Sequence, residues 1–229
     1  MAEPGSIEWV LTTTRAVRRR LDLDSPVDKA VVLECLDLAL QAPTGGDAQG
    51  WRWIVITDPA TKAGVRDLYI EALTEVSGGR RPGGAGGSAD RMLEGAWHLA
   101  DHLDRVPVLV VACIRGGVTP ASTPAQAAAL YGSIYPAVWS LQLALRARGL
   151  ASVMTTVHVA RHREMAQLLG IPEHVTQAAL VPIAHLLGDG LRPARRQPAL
   201  RVAFRDRWGG PWTTETGDPE GRDGRGADG

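Results

Sequence analysis

The hydrophobic positions of the chain change period several times, and each change marks an element. Ser6 precedes a short helical run in which Ile7, Val10 and Leu11 share one face, and the polar stretch Thr12 to Arg20 follows. Ser25-Pro26 reads as a helix start, with Val32, Cys35, Leu36, Ala39 and Leu40 at helical spacing until Pro43 stops the run. A turn-rich segment from Pro43 to Asp47 leads into Trp51 to Thr57, which reads as a strand, and Asp58-Pro59 opens another helix. Ser77 to Ala89 holds six glycines with Arg80, Arg81 and Pro82, too little apolar surface to order itself, and is expected to be a mobile insert. Asp90 to Asp104 predicts a helix and Pro107 to Ile114 a buried strand. Pro124 to Arg148 predicts a long, largely apolar helix, kinked at Pro136 and ended by Gly149. Ala151 to Val157 and Ala178 to Leu187 predict two more strands, separated by a short helix near Arg163 to Leu169 that Gly170 terminates. The polar, Gly-rich tail from Gly210 is expected to be disordered.

Helices and strands mixed without regular βαβ alternation point to an α+β layer fold. No Gly-x-Gly-x-x-Gly follows a strand and opens a helix, so a Rossmann unit is not supported and another kind of cofactor site is needed. A length of 229 residues fits one domain with arms. Lys and Arg total 25 against 25 Asp and Glu, and this zero balance argues against an extended nucleic-acid footprint. A small basic cluster can still grip one phosphate group, and Arg15 to Arg20 is such a cluster, although its composition alone fits a solvated basic face equally well. The longest apolar run, Val106 to Ile114, is far short of a membrane span, and Met1 to Val10 carries no signal-peptide pattern, which places the chain in the cytoplasm. Cys35 and Cys113 both read as core residues in a reducing compartment. His98 and His102, like His158 and His162, stand four apart, but no glutamate follows His98 and no cysteine completes a site, so no metal is expected.

Three separated segments carry a more specific signal: Thr14-Arg15-Ala16-Val17-Arg18-Arg19, Ala42-Pro43-Thr44-Gly45-Gly46-Asp47-Ala48-Gln49-Gly50-Trp51, and Gly149-Leu150-Ala151-Ser152-Val153-Met154-Thr155-Thr156. In order and spacing they resemble the flavin-binding signatures of the nitroreductase family. Gly170-Ile171-Pro172-Glu173 and Arg192-Pro193-Ala194-Arg195-Arg196-Gln197-Pro198 extend the resemblance, which covers roughly Ser6 to Trp208.

The resemblance implies a three-layer fold, a central mixed sheet flanked by helices, in one FMN-binding domain over residues 1–209, dimeric, with each flavin contacted by both chains of a homodimer. It implies FMN as the bound cofactor and NADPH or NADH as hydride donor, the hydride passing on in a ping-pong cycle to a nitroaromatic, quinone or related conjugated acceptor. Such an enzyme needs no nucleophilic side chain, because the flavin carries the hard step. Arg15 and Arg18, with Arg196 and its neighbour Arg195 from the far end of the chain, are implied to hold the phosphate beside Ala16; arginine suits this through paired planar donors. Pro43, Thr44, Gly45, Asp47 and Gln49 are implied at the polar edge of the ring, and Thr155 and Thr156 over its redox-active N5 region. Two positions depart from the family's pattern, which normally has asparagine at Asp47 and proline at Gly50. A carboxylate in place of an amide loses two donors and adds a charge that an anionic, reduced flavin repels unless Arg52 or another cation neutralises it. Two further functions stay open: a flavin-binding or storage protein with little turnover, and a specialised dehalogenase or dehydrogenase.

Overall fold

The computed structural model describes residues 3–83 and 87–212. Positions 84–86 of the Gly-rich insert and the tail from 213 onward therefore lie outside the described residues. By its internal contacts the chain divides into two compact units, Met1–Arg192 and Pro193–Gly229.

In the first unit α1 (Ile7–Thr13) is capped by the Ser6 side chain, as the sequence predicts. The next helix does not start at Ser25-Pro26. Ser25 is taken up by Asp22, whose carboxylate accepts from the Ser25 hydroxyl at 2.6 Å and from the Asp24 and Ser25 amides, a local turn that competes with helix. Asp28 caps α2 (Lys29–Ala39) instead, accepting from the Ala30 amide at 2.9 Å, a contact worth about 1 kcal/mol. A short 3-10 turn, Gly45–Asp47, precedes β1 (Trp51–Ile56), and α3 (Pro59–Val76) begins at the Asp58 cap. Then come α4 (Ser88–Asp101), a 3-10 turn Leu103–Arg105, β2 (Val108–Arg115) and α5 (Pro124–Ala147), which runs through Pro136 as one helix. β3 (Leu150–Ser152), a 3-10 helix Val157–Arg161, α6 (His162–Leu169) and β4 (Val175–His185) complete the unit. Gly170 ends α6 with φ 65°, the left-handed conformation for which glycine is suited.

The strands form one sheet in the order β1-β2-β4-β3. Every strand pair among the described residues is antiparallel, which corrects the expectation of a mixed sheet. Each connection between neighbouring strands returns the chain to the end of the sheet it left; the only parallel pairing described is the isolated bridge of Gly116 to Val175.

Alternation along β2 divides the core into two. Val108, Val110, Ala112 and Ile114 face α2 and α5, whereas Leu109, Val111 and Cys113 join residues of α3, α4 and α6 on the other side. The continuous apolar run of β2 is thus buried on both faces, giving helix–sheet–helix layering.

β3 is shorter than the strand expected over 151–157, and the reason lies in its partner. Leu150, Ala151 and Ser152 pair with His185, Ala184 and Ile183, so the next position of β4 is Pro182, which has no N–H to give. Pairing resumes in the same register at Thr155, which exchanges two backbone bonds with Leu180 at 2.9 and 2.8 Å. His158, the residue after the expected strand, sits in the following 3-10 helix and is fully buried.

The described part of the Gly-rich insert is tied to α4. The Trp97 indole donates to the Arg80 carbonyl at 3.0 Å, and the Arg81 guanidinium lies 4.0 Å from the centre of the Trp97 ring and 3.6 Å from the Asp101 carboxylate. The second unit contains a 3-10 turn, Ala199–Arg201, and the Phe204 and Trp208 rings 4.9 Å apart.

Candidate functional site

The arginine run is held open by the sheet. Its backbone extends the edge of the sheet: the Val17 amide donates to the Ser152 carbonyl at 3.0 Å, Leu187 donates to Arg20 at 2.8 Å, Leu21 bridges Leu186, and Asp22 donates to His185 at 2.9 Å. Val17 and Leu21 bury their side chains in the α3/α4 core, and the residues between them are left to face outward. The outcome is a cleft of about 690 Å³ walled by Arg15 to Arg20 on one side and Gly188 to Arg192 on the other, with Gly95 of α4 beside them.

Six consecutive residues share this cleft, but the arginines are committed differently. Arg19 pairs with Glu94 of α4 at 2.6 Å. Arg20 donates to the Leu187 carbonyl at 2.8 Å and also to that of Asp189, so it builds the opposite wall. Among the described residues Arg15 makes one bond, to the Arg192 carbonyl at 3.1 Å, which leaves most of its donors without a described partner. Arg18 has neither hydrogen bond nor ion pair with another described residue, while its stem passes close to Gly95. A half-buried guanidinium that lines the cleft and has no partner among the described residues is the group best placed to receive an anion. Gly188, Gly190 and Ala16 carry little or no side chain there and leave the backbone accessible.

Beside Arg18 stands a buried pair of hydroxyls. Tyr69 of α3 lies 2.9 Å, oxygen to oxygen, from the Thr155 hydroxyl, and both residues are nine-tenths or more buried. Burial pushes the Tyr69 phenol up, partly offset by the Thr155 hydrogen bond and the Arg18 charge, so it stays protonated near neutrality. Thr156, the next residue, is exposed, and its side chain caps nothing.

The Pro43 to Gln49 loop lies elsewhere. None of its residues lines the arginine cleft. It is anchored on α5, where the Gly45 amide donates to the Ser133 hydroxyl at 3.0 Å and the Trp51 indole donates to the Ser133 carbonyl at 2.7 Å. Thr44 is half-buried, and its hydroxyl accepts from the Gln49 amide at 3.2 Å; Pro43, Gly45, Asp47 and Gln49 are exposed. Gly46, Asp47 and Gln49 have φ of 60°, 51° and 45°, left-handed positions interrupted only by Ala48, and together they fold the loop back on itself. Asp47 accepts from the Gln49 side-chain amide at 2.8 Å. Arg52 donates instead to the Trp51 carbonyl at 2.5 Å, and no ion pair joins it to Asp47 among the described residues. Arg195 and Arg196 belong to the second unit, where Arg196 donates to the Arg195 carbonyl at 3.1 Å.

Sequence reasoning passed over Gly188 to Leu191, Gly95 and Tyr69. Gly188-Asp189-Gly190 carries an ordinary turn signal directly after a strand and could have been marked as a wall. Tyr69 offers no such signal, since one tyrosine on an amphipathic helix reads as packing.

Comparison with known proteins identifies the family and the fold. The profile of the "Nitroreductase family" matches residues 11–185. A protein of Thermus thermophilus named NADH dehydrogenase is 33% identical over 205 residues, which cover 83% of this chain and 91% of that protein. Iodotyrosine deiodinase 1 of Mus musculus is 27% identical over 195 residues, covering 83% of this chain and 66% of the deiodinase. Among solved structures, oxidized iodotyrosine deiodinase bound to FMN and 3-iodo-L-tyrosine shares the fold at a TM-score of 0.68 with 20% identity, over 88% of this chain and 99% of that one. A nitroreductase with bound FMN from Desulfitobacterium hafniense gives 0.63 with 17% identity, over 90% and 100% of the two chains. The layered α+β architecture is the nitroreductase-like fold.

Proposed function

Because the chain belongs to the nitroreductase family, we propose that it is an FMN-dependent oxidoreductase, taking hydride from NADH or NADPH and passing it to a conjugated acceptor such as a nitroaromatic or a quinone. The observation that carries this reading is the arginine cleft, in which Arg18 keeps an uncommitted guanidinium among the described residues. Its donors match a phosphate near charge −2, and the small residues Ala16, Gly188 and Gly190 leave room for one, so the residues present fit the phosphate end of FMN. Bound FMN supplies the hydride exchange. In this reading Arg18 and Arg15 hold the phosphate, and Thr155 and Thr156 border the ring.

The ring's other edge is assigned to Pro43 to Gln49 of a second copy, since that loop does not line the cleft of its own chain. A homodimer is further supported by α5, whose first two turns, Pro124 to Tyr131, hold no buried residue although they are rich in Ala. Trp139 on the same helix is 42% exposed and Leu33 of α2 61% exposed, apolar surface that a second copy would cover. Light scattering at micromolar concentration is expected to give twice the chain mass; a monomer contradicts the two-chain site.

Purified protein is expected to be yellow, or to become so with FMN, and the flavin band to bleach anaerobically with NADH or NADPH and return on addition of a nitroaromatic. Protein that stays colourless after FMN is added sinks the proposal. Bound flavin that bleaches with neither nucleotide favours a storage role instead. The likeness to iodotyrosine deiodinase supports one alternative acceptor class, halogenated phenols, and deiodination of iodotyrosine without nitroaromatic turnover would select it. A cytoplasmic setting is supported by the two cysteines, both buried and free. No helix among the described residues is long and apolar enough to cross a membrane.

A further inference from the structure

The Tyr69–Thr155 pair has one proton too many for the partners around it. Two hydroxyls share one hydrogen bond at 2.9 Å, so one O–H is consumed between them and the other needs an acceptor. No other acceptor for either hydroxyl occurs among the described residues. The Val157 amide approaches the Thr155 hydroxyl oxygen at 3.5 Å, the outer limit of a hydrogen bond, which marks that oxygen as an acceptor. The Thr155 backbone is already committed to Leu180 on both sides and cannot turn to absorb the spare proton. An arrangement in which Tyr69 donates leaves the surplus on Thr155. The reverse arrangement buries it on a phenol that is only 1% exposed, in an apolar cluster with Val17, Leu21 and Val153. The first is favoured, since Thr155, at 8% exposure, is less completely shut off from its surroundings than Tyr69, and an orphaned donor costs most where burial is deepest.

We infer that Tyr69 is a positioning residue: its phenol donates to the Thr155 hydroxyl oxygen and so turns the Thr155 proton outward as a donor to an acceptor atom of the bound cofactor. The same side chain links three parts of the site. Its ring packs in the cluster that holds Val17 and Leu21 of the arginine run, its hydroxyl fixes the turn that presents Thr156, and the Arg18 charge is felt at its oxygen. A donor aimed at a group that gains negative charge on reduction stabilises the reduced form more than the oxidised one. Tyr69 therefore bears on the balance between the two redox states more than on cofactor binding itself. The inference rests on the flavin reading above.

The test compares wild type, Tyr69→Phe, Thr155→Val and the double variant, each loaded with FMN, by the midpoint potential of the bound flavin and by FMN affinity in the oxidised state. Tyr69→Phe is expected to lower the preference for reduced over oxidised FMN about fivefold, the net worth of one hydrogen bond, with little change in oxidised affinity. Thr155→Val is expected to do the same, and the double variant no more than Thr155→Val alone, because Tyr69 acts through Thr155. Thr155→Ser, which keeps the hydroxyl, is expected to keep the wild-type potential. A merely packing role for Tyr69 would lower thermal stability without moving the potential, and that result overturns the inference. Additive shifts in the double variant overturn it too. Wild-type protein that takes up no FMN defeats the flavin reading and this inference together, whereas wild-type uptake with an unmoved potential in Tyr69→Phe defeats the inference alone.

Discussion

Replacement of Arg18 by alanine is expected to weaken FMN binding about 10- to 100-fold, the loss of a charge-assisted hydrogen-bonding partner of the phosphate. Fluorescence titration of the apoprotein measures it. The same substitution should leave urea unfolding of the apoprotein within about 0.5 kcal/mol of wild type, because Arg18 bonds to no described residue whose loss the fold would feel. Arg20→Ala has the opposite signature. Its guanidinium holds the Leu187 and Asp189 carbonyls, so removing it releases the far wall of the cleft and is expected to cost about 1 kcal/mol of stability. Its effect on FMN should be smaller than that of Arg18→Ala, and indirect. Arg18→Lys keeps the charge but not the planar fork, and should recover only part of the affinity. Equal losses at Arg18 and Arg20 would mean that the run acts as diffuse charge and that no single side chain holds the phosphate.

Mild acid is expected to destabilise the fold through His158. Among the described residues both ring nitrogens of this fully buried histidine lack a hydrogen-bond partner, and burial pulls its pKa from 6.5 down to about 4. The unfolded chain therefore takes up this proton before the folded chain does. Its contribution is fully present above pH 6.5, erodes as the pH falls through that value, and is lost by about pH 4. The difference corresponds to about 3 kcal/mol, a large part of the stability of an ordinary domain. Urea unfolding at pH steps between 7 and about 4 should show this slope in wild type and a shallower one in His158→Leu, which carries nothing to protonate. Parallel curves for the two proteins would show that other groups set the acid response.

These expectations differ in how far the sequence alone supports them. The layered α+β fold was legible because its signals are local and mutually consistent: an apolar run too short for a helix at β2, a Pro-opened helix at α3, a glycine ending α6. The helix start at Ser25-Pro26 was misread because a side chain three residues upstream, Asp22, competes for the same serine. Within the arginine run, sequence could point to a cluster but could not apportion it. What separates Arg18 from Arg19 and Arg20 is the presence of Glu94 and of two carbonyls, some 75 and 167 or more positions away in the chain. Tyr69 was invisible for the same reason, since its partner Thr155 lies 86 residues distant. The antiparallel pairing of every strand likewise depends on how connections return across the sheet, which periodicity does not encode.

The proline at position 182 acts at a distance through something it lacks. Four strands could in principle zip together along their whole length, and a fully zipped edge would carry Val153 and Met154 flat against β4. One missing amide hydrogen opens a two-residue gap in that seam before Thr155 closes it again on Leu180. The place where the chain rejoins the sheet at Thr155, before turning off at Thr156, is thus written on the neighbouring strand, so a change at Pro182 would act as a mutation of the proposed site without touching a residue of it.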